Sequence, residues 1–250
     1  MREKSFREPL WEEQQSIFEK IHKCGSIQEY ITREVPDIKK AFALGDKNLR
    51  CIDERTPGGY HLAGSGILLP LEKAIEIAQG LGIDGVWRHK ECGAESLFAQ
   101  MNNVDPQQAE EEIENRAQKL ASHLNIPRRG TLEVEPKGLH IARVSYYIGI
   151  GEFNPSLVKN LPPGFIVSRR HVDAGYAKKE LDISIGIALG EHGFGKLFTQ
   201  QNPFIIIPIA DPSTPEFSLE TLTQEAKEVA QKGEYRGRVI VDGFIAKNEF

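Results

Sequence analysis

Two short segments of the chain carry residues that can bind a metal ion. The first is Cys51-Ile-Asp53-Glu-Arg55, and the second is His89-Lys-Glu-Cys92-Gly93. Two thiols and one imidazole suit zinc by softness and geometry, and three protein ligands without an obvious fourth are typical of a catalytic zinc site. The sequence therefore predicts a zinc centre, provided that the fold brings residues 51, 89 and 92 together.

Other interpretations of these residues stay open at this level. A structural zinc site would need a fourth ligand, for which Cys24 and His61 are the nearby candidates. A redox-active thiol pair would favour a Cys-x-x-Cys spacing, which the sequence lacks. The third alternative is that the cysteines and the histidine bind no metal at all.

The composition limits the class of protein. A chain of 250 residues fits one large α/β domain or two smaller ones, and its net charge of −5 gives no electrostatic reason to expect nucleic acid or an anionic membrane as partner. The sequence has no apolar run long enough to span a membrane, and residues 1–15 lack the apolar region of a secretory signal. With only three cysteines, a disulfide framework is not expected. We therefore expect a cytoplasmic protein.

The elements around the two segments predict that their functional residues meet. Residues 48–54 have the pattern of a strand, on which alternation places Cys51 and Asp53 on one face. A helix over 70–80 and a strand over 83–89 follow, so the region forms a βαβ unit whose parallel strands end at the same edge of a sheet. Functional sites of open α/β sheets lie at that edge. Cys92 then precedes a helix, and a helix N-terminus lowers the pKa of a thiol.

The whole chain is predicted to be an α/β protein with a mostly parallel sheet flanked by helices. Residues 1–47 form a helical N-terminal extension, with a helix over 9–22 and a second over 27–43 that breaks near Pro36. Residues 48–154 hold the zinc-binding region. Residues 155–250 form a further α/β region, either separate or part of the same domain. Its predicted elements are strand 165–168, helix 178–189, strand 204–209, helix 218–231 and strand 237–246.

The two ligand segments also resemble a known family. Cys51-x-Asp53-x-Arg55, an Ala63-Gly64 turn, a helix that ends in Leu-Gly, an apolar strand and His89-x-x-Cys92-Gly93 follow one another as in the β-class carbonic anhydrases. The resemblance covers residues 48–98 well and 139–153 only faintly. It does not extend to residues 155–250.

This resemblance implies specific roles. Cys51, His89 and Cys92 would bind Zn²⁺, and zinc-bound hydroxide would attack CO2 to give bicarbonate. Asp53 would orient the hydroxide, and Arg55 would keep Asp53 ionised and away from the metal. If that pair opened, Asp53 could become the fourth zinc ligand and close the site. The family resemblance also implies a homodimer or a higher homo-oligomer.

The chain departs from the family in one place. The segment between the first and second ligands is short, with residues 56–62 replacing a stretch that normally supplies pocket side chains and dimer contacts. Carbonyl sulfide or carbon disulfide is therefore an alternative substrate, and a non-catalytic zinc-binding interaction module is an alternative function. His61 in this loop is a candidate proton shuttle, although a solvent-facing loop histidine is the simpler interpretation.

The C-terminal region carries polar residues without an assigned role. Arg169, Arg170 and His171 end a predicted strand and could bind an anion, while His192 lies at a predicted helix end. Each is more often a surface or capping residue. The region itself could cover the sheet, replace a partner subunit or bind another molecule. Its β-α-β pattern is similar to that of the first region, but the metal-ligand motif does not recur.

Overall fold

The computed structural model describes residues 4–43 and 45–246. Helix α1 spans Lys4–Cys24, and α2 spans Ile27–Glu34, after which a short 3-10 helix covers Ile38–Phe42. The break predicted near Pro36 is therefore present. Phe18 and Tyr30 from these helices are buried in the same core cluster as Ile166 of the C-terminal region. The N-terminal helices thus pack on the chain's own C-terminal region.

The first sheet has four parallel strands in the order β2-β1-β3-β4. These strands are β1 (Asn48–Arg50), β2 (Tyr60–His61), β3 (Gly85–His89) and β4 (Arg128–Leu132). Helix α3 (Leu71–Leu81) connects β2 to β3, and α4 (Gly93–Asn102) and α5 (Pro106–Leu124) connect β3 to β4. Gly82 ends α3 in the left-handed conformation, with φ of 59°, which glycine adopts without strain. We call residues 48–132 the first half.

The second sheet has five parallel strands, in the order β6-β5-β7-β8 with β9 also paired to β7. They are β5 (Val144–Ile148), β6 (Gly164–Ser168), β7 (Phe204–Ala210), β8 (Val239–Val241) and β9 (Phe244–Ile245). Helices α6 (Ala174–Leu189) and α7 (Leu219–Ala230) connect them. Helix α6 begins earlier than predicted because the Asp173 side chain caps it by accepting a hydrogen bond from the Tyr176 amide. We call residues 144–246 the second half.

The two halves share one strand order. In each half, the first strand lies between the second and the third, and the fourth strand follows the third. The predicted α/β class with parallel strands is confirmed, but as two sheets rather than one. Strands β4 and β5, adjacent in sequence, belong to different sheets.

The halves meet along their β2 and β6 sides. The Ile166 amide of β6 donates a hydrogen bond to the Ile52 carbonyl, just after β1, at 2.9 Å. One apolar core continues through both halves and contains Cys51, Phe165 and Leu181. The rim of the first half that carries Cys51 is therefore covered by the second half.

Candidate metal centre

The fold brings the three predicted ligands together. Strand β1 pairs with β3 in parallel, with Leu49 opposite Val86, so Cys51 just after β1 and His89 at the end of β3 reach the same edge. Cys92 follows after a short turn as the N-cap of α4. All three are buried. Among the described residues, their ligand atoms form one of two groups that could hold a metal ion, with all three atoms within 4.8 Å of one another.

The geometry of the three side chains fits zinc. The Cys51 and Cys92 sulfurs lie 3.6 Å apart and form no disulfide. Two thiolates that bind one tetrahedral zinc at about 2.3 Å would lie roughly 3.8 Å apart. The His89 Nδ1–H donates to the Lys90 carbonyl at 2.8 Å, and its buried Nε2 has no hydrogen-bond partner among the described residues. This is the usual arrangement of a metal-binding histidine, whose second nitrogen is fixed by a carbonyl.

A backbone amide contacts one of the cysteine sulfurs, and a helix begins at the other cysteine. The Gly64 amide donates to the Cys51 sulfur at 3.3 Å, and Cys92 lies at the N-terminus of α4. A side chain at Gly64 would collide with Ile67, since an added Cβ would lie 2.2 Å from that side chain. The hydrogen bond between the Cys51 and Cys92 thiols and the burial of Cys51 raise the pKa of Cys51, so metal binding must displace a proton.

Asp53 and Arg55 form a buried ion pair beside the ligands. Asp53 Oδ1 accepts from the backbone amide and Nε of Arg55, and Oδ2 accepts from Nη2 at 2.8 Å. Asp53 Oδ2 also lies 3.6 Å from His89 Nε2. Burial opposes ionisation of Asp53, but the hydrogen bond from Arg55 and the charges of His140 and His89 hold its pKa below the usual value. The pair therefore presents a carboxylate oxygen next to the three candidate ligands while Arg55 binds both oxygens.

Glu54 and His140 complete this polar cluster, and sequence reasoning missed both. Glu54 accepts from the Ile141 amide at 2.7 Å and lies 3.1 Å from His140 Nδ1. Burial lowers the pKa of His140, but the charge and hydrogen bond of Glu54 and the charge of Asp53 together raise it above the usual value. Asp53, Glu54 and His140 could themselves hold a metal, yet the Arg55 guanidinium already lies between Asp53 and His140, 3.4 Å from His140 Nε2. The Arg55 guanidinium therefore already supplies the positive charge that a metal ion would bring to this second group.

His61 lies deeper than the sequence predicted. Its ring is buried, and its Nδ1–H donates to the Cys51 carbonyl at 2.7 Å. Burial lowers the pKa of His61 to about 4. In this position the imidazole binds the backbone of a ligand residue. It does not face solvent, whereas a proton shuttle would need contact with solvent.

A small cavity and a larger cleft lead to the site. The inner cavity, about 10 Å³, has room for about one water molecule. It is lined by Cys51, Ile52, Asp53, Ala63, Gly93, Ala94, His140, Phe165, Ile183 and Ile187. An outer cleft of about 710 Å³ shares four of these residues, namely Gly93, His140, Ile183 and Ile187. We call these four the neck. Phe165, Ile183 and Ile187 come from the second half, so that half supplies apolar walls of the cavity.

The other polar residues singled out in the sequence have different surroundings. Arg169 forms ion pairs with Glu216 at 3.1 Å and Glu225 at 2.9 Å, and Arg170 pairs with Asp211 at 3.0 Å. These arginines are therefore neutralised by carboxylates. His192 is exposed and lines the outer cleft.

Comparisons with family models, with curated proteins and with solved structures found no match to this chain. Within residues 4–43 and 45–246, no helix is long and apolar enough to cross a membrane. The function must therefore be argued from the geometry of the buried Cys51, His89 and Cys92 group.

Proposed function

We propose that this protein is a zinc-dependent carbonic anhydrase that interconverts CO2 and bicarbonate. The observation that carries the proposal is the unpaired Nε2 of His89, which faces two buried cysteines and lies 3.6 Å from the Asp53 carboxylate. Several buried side-chain atoms of the described residues have no partner, but this nitrogen lies within 4.8 Å of two cysteine sulfurs, an arrangement that a bound metal ion would explain. Two sulfurs and one nitrogen match a catalytic zinc site with one position left for solvent.

Cys51, His89 and Cys92 would hold the metal. A zinc ion bound there would lower the pKa of a bound water molecule to about 7 and so supply a nucleophile at neutral pH. Asp53 Oδ2, 3.6 Å from His89 Nε2, would accept a hydrogen bond from the attacking water and orient its lone pair. Arg55 keeps Asp53 ionised and, by binding both of its oxygens, keeps it from the metal position.

The inner cavity supports a small, uncharged substrate. Its walls are mostly apolar, and because its volume of about 10 Å³ holds only about one water molecule, CO2 would approach from the outer cleft through the neck. Attack of the water oxygen on the carbon of CO2 forms one C–O bond and leaves bicarbonate after loss of a proton. Carbonyl sulfide and carbon disulfide are also linear and apolar, so the relative rates on these molecules must be measured alongside CO2.

Stopped-flow CO2 hydration by zinc-loaded protein, measured from pH 6 to 9, tests the proposal. We expect catalysis that rises with pH and an Asp53→Ala variant slower by about 100-fold or more, because it lacks the orienting carboxylate. Asp211→Ala is the matched control, since Asp211 is an ion-paired acid at the rim of the second half. It should retain wild-type rates.

Three results would contradict parts of this proposal. A wild-type rate equal to that of buffer would leave a non-catalytic zinc protein. Equal rates for wild type and Asp53→Ala at every pH would remove the role of Asp53. Turnover of carbonyl sulfide without turnover of CO2 would favour the alternative substrate.

A further inference from the structure

Glu180 of α6 is a buried acid that the proposed reaction does not use. Its side chain is fully buried, and Oε1 accepts a hydrogen bond from the backbone amide of Ala63 in the first half. Its second oxygen, Oε2, lies near the hydroxyl of Tyr176, one helical turn earlier. Neither atom has a hydrogen-bond partner of good geometry among the described residues. Burying a carboxyl group is costly, so its retention between the two halves requires an explanation.

The Ala63–Gly66 turn connects Glu180 to the metal centre. Ala63 donates to Glu180, and the next amide, that of Gly64, donates to the sulfur of Cys51 at 3.3 Å. The turn is packed tightly, because an added Cβ at Gly64 would lie 3.0 Å from Ala94 as well as clashing with Ile67. A shift of Ala63 would therefore be passed directly to the N–H···S bond of Cys51.

We propose that Glu180 is a positioning residue of the metal centre, through which the second half sets the hydrogen bond to the Cys51 thiolate. The proposal rests on the proposed metal site but not on the reaction that it performs. It also gives the second half a role beyond covering the site.

A protonated Glu180 suits this role. Burial raises the pKa of Glu180 to about 8, so the group is mostly neutral at pH 7. A neutral carboxyl group still accepts from Ala63 through one oxygen and can donate from the other. Glutamine offers the same acceptor and a similar donor, so it should replace Glu180 without loss, whereas leucine or aspartate should not.

The test compares zinc affinity, by competition with a chelator, in wild type, Glu180→Gln and Glu180→Leu. We expect Glu180→Leu to bind zinc about 10- to 100-fold more weakly, the range found when partners of metal ligands are removed. Glu180→Gln should bind like wild type. Co²⁺ substitution gives a second readout, since the sulfur-to-cobalt charge-transfer band should shift in Glu180→Leu and not in Glu180→Gln.

Two further variants separate positioning from general destabilisation. Ile185→Val perturbs the buried face of the same helix and should leave zinc affinity unchanged. If Glu180→Leu does not fold, Glu180→Asp takes its place, because a side chain shorter by one methylene cannot reach the Ala63 amide from the same helix position. The same loss of affinity is expected.

The outcomes distinguish this inference from the proposed function. Equal zinc affinity and an equal cobalt spectrum in wild type and Glu180→Leu would overturn it, as would an equal loss in Glu180→Gln and Glu180→Leu. A wild-type protein that binds no zinc would overturn both proposals. If wild type, Glu180→Gln and Glu180→Leu bind zinc in the expected order of affinity but the wild type does not hydrate CO2, the role of Glu180 is supported and the carbonic anhydrase function is refuted.

Discussion

The two halves of the molecule share a strand order but differ at their rims. In the first half, Cys51 follows β1 and His89 ends β3, whereas in the second half Gly149 follows β5 and Ala210 ends β7. An added Cβ at Gly149 would lie 2.8 Å from both Leu222 and Phe217, so apolar side chains fill the space that a ligand residue would need.

The polar groups at the two rims also differ in how they are paired. Tyr147 and Arg169 of the second half both bond to Glu225, at 2.6 and 2.9 Å. Each rim also has a buried imidazole nitrogen without a hydrogen-bond partner, His89 Nε2 in the first half and His171 Nε2 in the second. Topology alone therefore does not define a site. The first rim differs because its unpaired nitrogen lies within 4.8 Å of the Cys51 and Cys92 sulfurs, and this group of three is what predicts a bound metal.

The largest expected effect is loss of the metal from the first rim alone. Cys92→Ser should reduce bound zinc from about one ion per chain to almost none, because serine does not replace a thiolate ligand. Arg169→Gln at the second rim should keep the zinc but lower the free energy of unfolding by about 2 kcal/mol, since it leaves the half-buried Glu225 carboxylate without its charged partner. Metal analysis and urea unfolding measure the two effects. Zinc retained in Cys92→Ser, or lost in Arg169→Gln, would contradict the assignment of the metal to the first rim.

A smaller effect concerns the pH dependence of stability at the boundary between the halves. Glu180 holds its proton up to about pH 8 in the folded chain, whereas an unfolded glutamate loses it near 4.5. Between pH 4.5 and 8 the unfolded state therefore binds fewer protons than the folded state. The stabilisation that protonated Glu180 contributes is fully present below pH 4.5 and is lost as the pH rises through 8. Glu180→Gln lacks this dependence.

Unfolding of wild type and Glu180→Gln from pH 4 to 9 measures this difference. The variant should gain stability relative to wild type by up to about 4 kcal/mol as the pH rises from 5 to 8. The difference should stay constant above that window. Parallel stability curves would show that Glu180 is ionised in the folded protein.

The smallest expected effect is on substrate choice at the neck. An added Cβ at Gly93 would lie 2.5 Å from Ile187, so the two halves touch where the cavity opens to the cleft. Ile187→Ala should raise kcat/KM for carbon disulfide relative to CO2 on the order of tenfold, the effect of a few methylene groups in an apolar pocket. Ile185→Val serves as the control on the same helix. An unchanged ratio would mean that the second half does not shape the pocket.

Much of the first half could be predicted from its sequence because the signals are local. Gly82 ends α3, and the short turns between strand and helix require parallel strands with a shared edge. That edge brings Cys51 and His89 together. The predicted ligand group depended on this βαβ unit and on little else.

The contribution of the second half could not be predicted because it depends on contacts between distant segments. Glu180 and Ile187 lie on a helix whose sequence gives no indication that it covers residues 63 and 93. Glu54 lies between Asp53 and Arg55 of the motif without being part of it, and its partner His140 is 86 positions away in the sequence. Glu180 is flanked on α6 by Lys178, Lys179 and Asp182, so the sequence does not mark it as the buried charge of that helix.

X-ray absorption at the zinc edge of the zinc-loaded protein directly tests whether Cys51, His89 and Cys92 bind the metal. These three ligands predict two sulfurs at about 2.3 Å, one imidazole nitrogen and one further light atom from solvent. Three or more sulfurs, two imidazoles beside the two sulfurs, or a zinc-free protein would contradict a three-ligand metal centre at the first rim.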